Sequence, residues 1–326
     1  MDGSTIMSKF FIVGGAGFIG SHFVDALLQN PTTEKVTIYD NFSSGRDWHY
    51  DRHMFDQRFY VWRGDVENTK FLTETMYHHD TVIHLASNPD IAKAATQPDI
   101  DFWQGTALTN SVVEAMRQSG AKRLLYASGS GVYGDIGEEE AYEDRGRLLP
   151  VSTYGASKLA GEALITSYCY MFGITGCAFR FGNVVGPRQT HGVGFDFAKR
   201  LLKDPTQLSI LGNGTQSKSY IHVYDVVRAV LLANEKSTEP FNVFNVATGD
   251  YITVKEIAEL AAECLNLTNV DFQYSGGDRG WKGDVPIVRL NTDRIKNLGW
   301  HCFRNTRTAL KDSIIAMLPD IKSNKM

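Results

Sequence analysis

Short apolar runs alternate with helical patterns through the first half of the chain. Five runs have the length and the continuous apolar character of strands that are buried on both faces of a parallel sheet, and they span residues 10–13, 35–40, 59–65, 81–86 and 123–128. Segments 21–29, 70–77 and 106–119 lie between them and have helical spacing of apolar residues. This alternation predicts a doubly wound α/β fold.

After about residue 180 the pattern loosens into loops that contain Gly and Asn. Helices are predicted at 224–234 and 254–265, with a strand at 241–246. We expect a smaller α/β substrate-binding region that is interleaved with the main sheet. The predicted division assigns 8–182 and 220–250 to the sheet domain, and 183–219 and 251–318 to the smaller region.

Composition narrows the classes of partner. The chain has 326 residues, 43% of them hydrophobic, and a net charge of −4, which argues against nucleic acid or an anionic membrane as the main partner. Four cysteines lack CxxC spacing, which indicates free thiols and no zinc site, and they are Cys169, Cys177, Cys264 and Cys302. The first eight residues lack a basic flank and an apolar stretch, so we expect a cytoplasmic protein.

A glycine-rich loop follows the first predicted strand. Gly14, Gly17 and Gly20 open a helix, where the backbone can approach a pyrophosphate at the positive helix end. Asp40 ends the next strand, where a carboxylate can hold both ribose hydroxyls of an adenosine. That carboxylate would repel a 2′-phosphate, so the pattern favours NAD, while Arg46 leaves NADP open. Together with the alternating elements, this loop predicts a Rossmann-type sheet.

Tyr154 and Lys158 form a second candidate site. Residues four apart lie on one face of a helix. A tyrosine base at neutral pH needs its pKa lowered by roughly three units, or about 4 kcal/mol. An ammonium about 4 Å away supplies energy of that order at an effective dielectric constant of about 20. The pair therefore indicates redox chemistry on a hydroxyl group.

The order of these motifs carries a family resemblance. Between about residues 9 and 300 the chain contains, in order, GGAGFIGSH, YDNFSSG, GDV, HLAS, VYG, YGASK, RFGNVVGPR and GNGTQSKSYIHVYDV. This set resembles the extended short-chain dehydrogenase/reductases that act on nucleotide sugars, and most of all the UDP-glucose/UDP-galactose 4-epimerases. The resemblance implies a bound NAD, Tyr154 as the base, and Lys158 as the group that bonds the nicotinamide ribose and lowers the pKa of Tyr154.

The resemblance also implies contacts with the two ligands. The implied NAD contacts are Gly14, Gly17, Phe18, Ile19, Gly20, Asp40, Asn41, Ser43, Ser44, Gly45, Asp65, Val66, Leu85, Ala86, Ser87, Tyr154, Lys158 and Phe181. The implied contacts with the UDP-sugar are Ser130, Asn183, His191, Gly192, Val193, Lys218, Arg279, Asp284 and Val288. Arg279 and Lys282 are expected to complete a cationic clamp on the diphosphate.

The chain departs from the family pattern at several polar positions. The family has a Ser or Thr that shares the hydrogen bond of the sugar O4, and Gly129 occupies that position here. We expect Ser130, or alternatively Ser128, to supply the missing hydroxyl. Phe102 stands where the family has an asparagine near the cofactor. Lys218 and Trp281 stand where it has arginines, and Arg279 is the expected replacement for the second of them.

The loop that contains Ser130 and Gly131 distinguishes between related enzyme activities. Dehydratases of this type carry Asp and Glu at the positions of Ser130 and Gly131, and decarboxylases keep a glutamate at Gly131, so epimerisation fits best. Another nucleotide-sugar oxidoreductase, whether a 4-ketosugar reductase, a dehydratase or a decarboxylase, remains an alternative, as does a homologue with impaired catalysis.

Two further expectations concern specificity and assembly. Val288 stands where the family gates the C2 substituent of the sugar, and valine is smaller than tyrosine, so UDP-GlcNAc should be accepted beside UDP-glucose. Helices 106–119 and 154–170 carry apolar residues on more than one side, which predicts a homodimer with a four-helix interface. The residues concerned are Ala107, Leu108, Val112, Ala115, Leu159, Ala163 and Leu164.

Overall fold

The computed structural model describes residues 8–323. Its strands are β1 (Ser8–Val13), β2 (Thr33–Asp40), β3 (Phe59–Arg63), β4 (Thr81–His84), β5 (Arg123–Gly129), β6 (Glu140–Ala141), β7 (Thr175–Phe181), β8 (Asn183–Val185), β9 (Gln207–Ile210), β10 (Ser217–Lys218), β11 (Tyr220–His222), β12 (Phe241–Val246), β13 (Ile252–Thr253), β14 (Asp271–Tyr274) and β15 (Arg289–Leu290). Its α-helices are α1 (Phe18–Gln29), α2 (Thr69–Met76), α3 (Leu108–Ser119), α4 (Thr153–Phe172), α5 (Val193–Lys203), α6 (Val223–Lys236), α7 (Val254–Cys264), α8 (Asp293–Asn297) and α9 (Thr306–Lys322).

Seven strands form one parallel sheet in the order β12-β7-β5-β4-β1-β2-β3. From β1 the strand order runs outward in one direction through β2 and β3, and in the other through β4, β5, β7 and β12. The predicted doubly wound, Rossmann-type fold is therefore confirmed. In such a sheet ligands bind at the carboxyl ends of the strands where the order reverses, which here is the edge beside β1 and β4.

Several predicted boundaries shift by a few residues. The strand predicted at 81–86 ends at His84, because the backbone N–H groups of Leu85 and Ala86 both turn onto the carbonyl of Val13, at 2.9 and 3.1 Å. The helix predicted from residue 106 begins earlier, with a π-helical segment at Phe102–Ala107 that continues into α3. The predicted strand at 241–246 has those bounds in the structure.

The chain divides into two compact units. One contains the described residues up to Ser128, Ala156–Phe179 and Ala233–Val243; the other contains Gly129–Gly155, Arg180–Leu232 and the residues from Phe244 onward. This division differs from the predicted one mainly at 129–155, and the domain boundaries derived from the sequence stay a prediction.

Each unit has its own apolar core. In the unit with the sheet, strand residues such as Phe11, Tyr39 and Tyr126 pack with Leu72 and Met116 from the helices, and all five are at most 1% exposed. In the other unit, helices α5, α7 and α9 pack together with β8, β9 and β11.

The structure also describes the cysteines, the apolar length of the helices and the clustering of potential metal ligands. The four cysteines are free thiols, and burial raises the pKa of each, to about 11 for Cys169 and about 12 for Cys302. None of the helices within 8–323 is both long and apolar enough to cross a bilayer. In the same residues, no cluster of three or more His, Cys, Asp or Glu side chains could hold a metal ion.

Candidate active site

The glycine loop between β1 and α1 is shaped by close backbone packing. Gly14 has a φ of 81°, and a Cβ there would lie 2.7 Å from the backbone nitrogen of Ala86. A Cβ on Gly20 would lie 2.7 Å from the carbonyl oxygen of Gly14. The fold therefore requires glycine at both positions, whatever the loop binds.

Gly17 differs from these two glycines because its surroundings are open. A Cβ on Gly17 would meet one atom of the described residues within 4 Å, the carbonyl oxygen of Gly14 at 3.4 Å. Gly17 is the N-cap of α1, has no side chain to cap it, and precedes a first turn without acidic residues. The positive helix end is thus left open for an anion, which is the arrangement that a dinucleotide phosphate needs.

We therefore expect Gly17→Ala to weaken NAD binding without unfolding the protein. The methyl group has room in the chain itself but narrows the approach of a phosphate, so the Kd for NAD should rise at least about tenfold. Gly20→Ala should instead lower the Tm, because its Cβ meets backbone. Calorimetric titration with NAD and thermal unfolding without nucleotide check both statements. Equal Kd values for Gly17→Ala and the wild type would contradict the first.

The Asp40 carboxylate is fixed at the end of β2. It accepts hydrogen bonds from the backbone N–H groups of Ala16, at 2.9 Å, and Phe42, at 2.8 Å. Burial raises its pKa, and the two N–H bonds oppose that effect. Asn41 donates to the Asp65 carboxylate at 2.9 Å, and a Cβ on Gly45 would lie 3.0 Å from Asp40 Oδ1. The structure thus brings together the residues that were predicted to hold the adenosine.

The other predicted NAD contacts lie along the same sheet edge or on neighbouring loops. Phe18 and Ile19 begin α1, Leu85 and Ala86 follow β4 and bond to Val13, and Phe181 ends β7. Ser43 and Ser44 are exposed, Val66 is buried and Ser87 is partly exposed. Arg46 is exposed and donates to the carbonyl of Gly45 at 2.9 Å.

Tyr154 and Lys158 lie one turn apart near the start of α4. The start of this helix packs closely against the loop after β5, since a Cβ on Gly155 would lie 2.5 Å from the carbonyl oxygen of Gly131. Glycine at 155 therefore lets the backbone beside Tyr154 approach the loop that carries Gly129 and Ser130.

The Lys158 side chain is 3% exposed. Its Nζ donates to the carbonyl of Ala127 at 2.8 Å and lies 5.1 Å from the centre of the Tyr126 ring. Burial lowers the pKa of Lys158 to about 8, against the opposing effect of the Asp101 and Glu162 carboxylates. At neutral pH the amine is thus mostly protonated and able to stabilise a phenolate on the same helix face.

The two serines beside Gly129 have different environments. Ser128 is buried and its Oγ donates to Glu162 Oε1 at 2.5 Å. Ser130 begins a short 3₁₀ turn and is partly exposed, and its hydroxyl bonds to no group of residues 8–323. These environments favour Ser130 as the group that is available to a substrate, and the choice between the two serines stays a prediction.

Gly129 itself leaves an unfilled space. Its φ of −159° and ψ of 163° suit any residue, and a Cβ there would have no other atom of the described residues within 4 Å. Packing therefore does not exclude, at this position, the hydroxyl that the family resemblance implies.

Two of the cations predicted to contact the diphosphate, Lys218 and Arg279, are paired with carboxylates, whereas Lys282 is exposed. Lys218 Nζ lies 2.5 Å from Asp284 Oδ1, and Arg279 contacts Asp135 Oδ2 at 2.5 Å. Arg279 also donates to the backbone carbonyl of Asp284, whose other carboxylate oxygen accepts from the N–H of Gly280 at 3.1 Å. Asp284 thus organises the loop, and carboxylates of the chain itself balance Lys218 and Arg279.

The remaining predicted substrate contacts belong to the same unit. Asn183 begins β8 and its Nδ2 donates to the carbonyl of Ser219 at 3.2 Å. Gly192 is the N-cap of α5 with a φ of 103°, between His191 and Val193. The backbone N–H of Val288 donates to the carbonyl of Ser217 at 3.3 Å.

A known protein family shares the sequence that builds this arrangement. The model of the NAD dependent epimerase/dehydratase family matches residues 10–247. The chain belongs to this family. The predicted resemblance and its NAD cofactor are thereby confirmed, and the glycine loop and Asp40 of this member fit the group.

Three relatives illustrate the range within the family. A putative UDP-glucose 4-epimerase of Methanocaldococcus jannaschii is 28% identical over 96% of this chain and 98% of its own length. A crystal structure of a UDP-galactose 4-epimerase superimposes with a TM-score of 0.85 and 32% identity, covering 96% of this chain and 99% of the other. A dTDP-glucose 4,6-dehydratase of an Actinoplanes species is 28% identical over 86% of this chain and 90% of its own length.

Three acidic residues of this family member were missed from sequence. Glu162, the partner of Ser128, lies four residues after Lys158, so helical spacing could have indicated it. Asp101 precedes the atypical Phe102, but nothing local shows that it is buried. Asp135 is 144 residues from its partner Arg279, so no sequence spacing relates them.

Proposed function

We propose that this protein is an epimerase that inverts C4 of a UDP-hexose, interconverting UDP-glucose and UDP-galactose through a 4-keto sugar. The observation that carries the proposal is the buried ammonium of Lys158 one helical turn from Tyr154, on a helix that starts against the loop of Gly129 and Ser130. A single reversible oxidation at C4 of the sugar needs one base, Tyr154, and no additional acid.

The chain's own residues handle the proton. Bound NAD supplies reversible oxidation of the sugar at C4. The Tyr154 Oη accepts the proton of the sugar 4-hydroxyl, and Lys158 lowers the cost of holding Tyr154 ionised beforehand. Ser130 is the proposed donor of a hydrogen bond to O4. After the keto sugar has turned over, Tyr154 returns the proton to the oxygen on the inverted carbon.

The diphosphate is proposed to bind through the clamp residues. Asn183, Lys218 and Arg279 offer amide and cationic donors suited to phosphate oxygens. Because both cations are paired with carboxylates, binding must exchange Asp284 and Asp135 contacts for phosphate contacts. The sugar itself is proposed to be held more loosely, so that it can rotate.

Dehydration is the second candidate, because a dehydratase is among the relatives. The loop argues against it, since Ser130 and Gly131 stand where elimination would need an acid and a base. Three further alternatives stay open. The protein is a 4-ketosugar reductase, another oxidoreductase of nucleotide sugars, or a homologue with impaired catalysis. Gly129 and Phe102 favour the last of these three.

A substrate panel without added cofactor tests the proposal. The purified protein is incubated with UDP-, GDP- and dTDP-hexoses, and the sugars are analysed by NMR. Interconversion of UDP-glucose and UDP-galactose supports the epimerase. Net oxidation or reduction would indicate an oxidoreductase, loss of water a dehydratase, and bound NAD without turnover an impaired homologue.

Specificity for the C2 substituent gives a separate prediction. Val288 lies directly before Arg289, whose guanidinium bonds to Ser217 at 3.2 Å and covers the Tyr251 ring at 4.0 Å. We expect the wild type to convert UDP-GlcNAc as well as UDP-glucose, and Val288→Tyr to lose UDP-GlcNAc conversion by about tenfold or more through steric exclusion. Val288→Ala is the control and should retain both activities. Failure of the wild type to convert UDP-GlcNAc would contradict the prediction.

The homodimer and the cytoplasmic location stay proposals. Leu159, Ala163 and Leu164 of α4 are partly or fully exposed and remain suitable for an interface. Val112 and Ala115 are fully buried in the core of the protomer, so they are unavailable to a partner, and that part of the expected interface is wrong.

A further inference from the structure

Lys158 is an ammonium group held in a nearly closed environment. Its side chain is 3% exposed, and its Nζ donates a hydrogen bond to a neutral carbonyl, that of Ala127. An ammonium removed from water loses its proton more readily unless opposite charge lies nearby. The charged form of Lys158 therefore depends on the groups that surround it.

The titratable side chains around Lys158 include groups on β4, β5, α4 and the segment before α3, and Tyr154 lies one turn earlier on the same helix. Tyr126 on β5 presents its ring to Lys158. His84 on β4 is fully buried, its Nε2 lies 3.1 Å from Thr109 Oγ1, and burial lowers its pKa to about 3, so it is neutral at pH 7. The acidic groups are Glu162 on α4 and Asp101 in the segment before α3, and Asp101 has the larger opposing effect on the pKa of Lys158.

The two carboxylates differ in what holds them. Glu162 accepts the hydroxyl of Ser128 and lies on the same helix as Lys158. Asp101 is 1% exposed and accepts a hydrogen bond from Nδ2 of Asn88, at 2.9 Å. Asn88 is itself 3% exposed and is fixed by a second bond, from Nδ2 to the carbonyl of Asp90. The buried amide thus orients the Asp101 carboxylate.

Close packing holds the Asp101 segment against the helix of Lys158. The π-helical segment that follows Asp101 contains Gly105, and a Cβ on Gly105 would lie 2.5 Å from Oγ of Ser157. Ser157 directly precedes Lys158 on α4. A side chain at position 105 would therefore force the two segments apart, and glycine keeps the acidic segment close to the amine.

We propose that Asp101, oriented by Asn88, is a positioning residue that keeps the Lys158 amine protonated and in place for Tyr154. The role rests on the proposed epimerase function. The family resemblance implies an asparagine near the cofactor at the position of Phe102, which is 53% exposed and packs edge-on against Trp103 at 5.0 Å. In this chain the buried polar side chain of the segment belongs to Asp101, the residue before Phe102.

The test measures the titration of Lys158 directly. The full chain saturated with NAD is labelled with lysine carrying ¹³C at Cε, and the Lys158 signal is assigned by its loss in Lys158→Met. Titration between pH 6 and 10 should give a Lys158 midpoint in the wild type below the usual value for lysine, because the side chain is buried. Asp101→Asn keeps an acceptor for Asn88 and should lower that midpoint by about one unit or more.

Asp99→Asn is the matched control. Asp99 is exposed and lies two residues earlier in the same segment, so the variant makes the same change in net charge. It should leave the Lys158 midpoint within about 0.3 units of the wild type, because solvent screens exposed charges. Equal midpoints in Asp101→Asn and the wild type would overturn the proposal.

A second variant and a pH profile complete the test. Asn88→Ala keeps the Asp101 charge but loses its orienting donor, so it should lower the midpoint in the same direction by a smaller amount. If Asp101→Asn does not fold, an unshifted midpoint in Asn88→Ala overturns the proposal. Lys158 is charged below its pKa, so kcat should fall as the pH rises through the Lys158 midpoint in the wild type, and this fall should occur at lower pH in Asp101→Asn.

Failure of the proposed function has a different signature. The titration needs no turnover, so a shifted midpoint in a protein that is silent toward the sugar panel refutes the epimerase and leaves the link between Asp101 and Lys158 intact. Turnover by the wild type with an unshifted midpoint in Asp101→Asn refutes the positioning role alone.

Discussion

Tyr154→Phe should reduce the interconversion of UDP-glucose and UDP-galactose by about 10³-fold or more. The variant keeps the ring on the helix but removes the oxygen that takes and returns the proton, and general base catalysis contributes about 10²–10⁴-fold. Turnover is measured with both sugars, and the NAD content and UDP affinity of the variant are measured beside it. Both should equal those of the wild type, because the dinucleotide loop and the clamp residues are unchanged.

Tyr170→Phe provides the control for this substitution. Tyr170 lies on the same helix and is 72% exposed, so loss of its hydroxyl should leave turnover unchanged. If Tyr154→Phe retained turnover within about tenfold of the wild type, the phenol would not be the base and the proposed function would need another one.

Gly129→Ser should raise turnover, by about tenfold or more. The family resemblance implies a Ser or Thr here, and a hydroxyl that bonds the reacting oxygen in the transition state contributes up to about 10²–10³-fold in comparable sites. The backbone is extended and the Cβ would meet no described atom within 4 Å, so the new side chain has room. The variant should also be slightly more stable, since serine restricts the unfolded chain more than glycine does.

Gly146→Ser separates the chemical effect from the gain in stability. Gly146 is exposed and a Cβ there would likewise meet no described atom within 4 Å, so this variant should show a similar change in Tm without a change in kcat. The two variants are compared by initial rates on UDP-galactose. A kcat of Gly129→Ser equal to that of the wild type would show that Ser130 or another group already supplies the full hydrogen bond.

Local patterns predicted the sheet elements and the dinucleotide loop because both depend on neighbouring residues. Continuous apolar runs identified the strands, and glycine spacing located the turn at Gly14 and Gly20, where the structure leaves no room for a Cβ. The exact strand ends were harder to predict, since β4 stops where Leu85 and Ala86 turn onto Val13, a residue about 70 positions away. Such partners have no signature in the local sequence.

Polar partners within the site were predicted less completely for the same reason. The hydroxyl of Ser128 was a candidate for the substrate, but it bonds to Glu162, 34 residues away. The predicted clamp cations were identified by resemblance, while their pairing with Asp135 and Asp284 depends on distant loops. Sequence thus indicated which chemical groups are present, and only the folded chain shows which of them are already occupied.

The paired state of Lys218 and Arg279 has a consequence for selectivity in a crowded solution. At the proposed diphosphate site, a small free anion such as inorganic phosphate would have to break two ion pairs and would make few new contacts. Such anions should therefore compete poorly with a nucleotide sugar. A nucleotide sugar brings a base, a ribose and a hexose whose additional contacts offset that cost. Under the proposed function, these ion pairs should therefore favour the binding of a complete nucleotide sugar over the binding of its fragments.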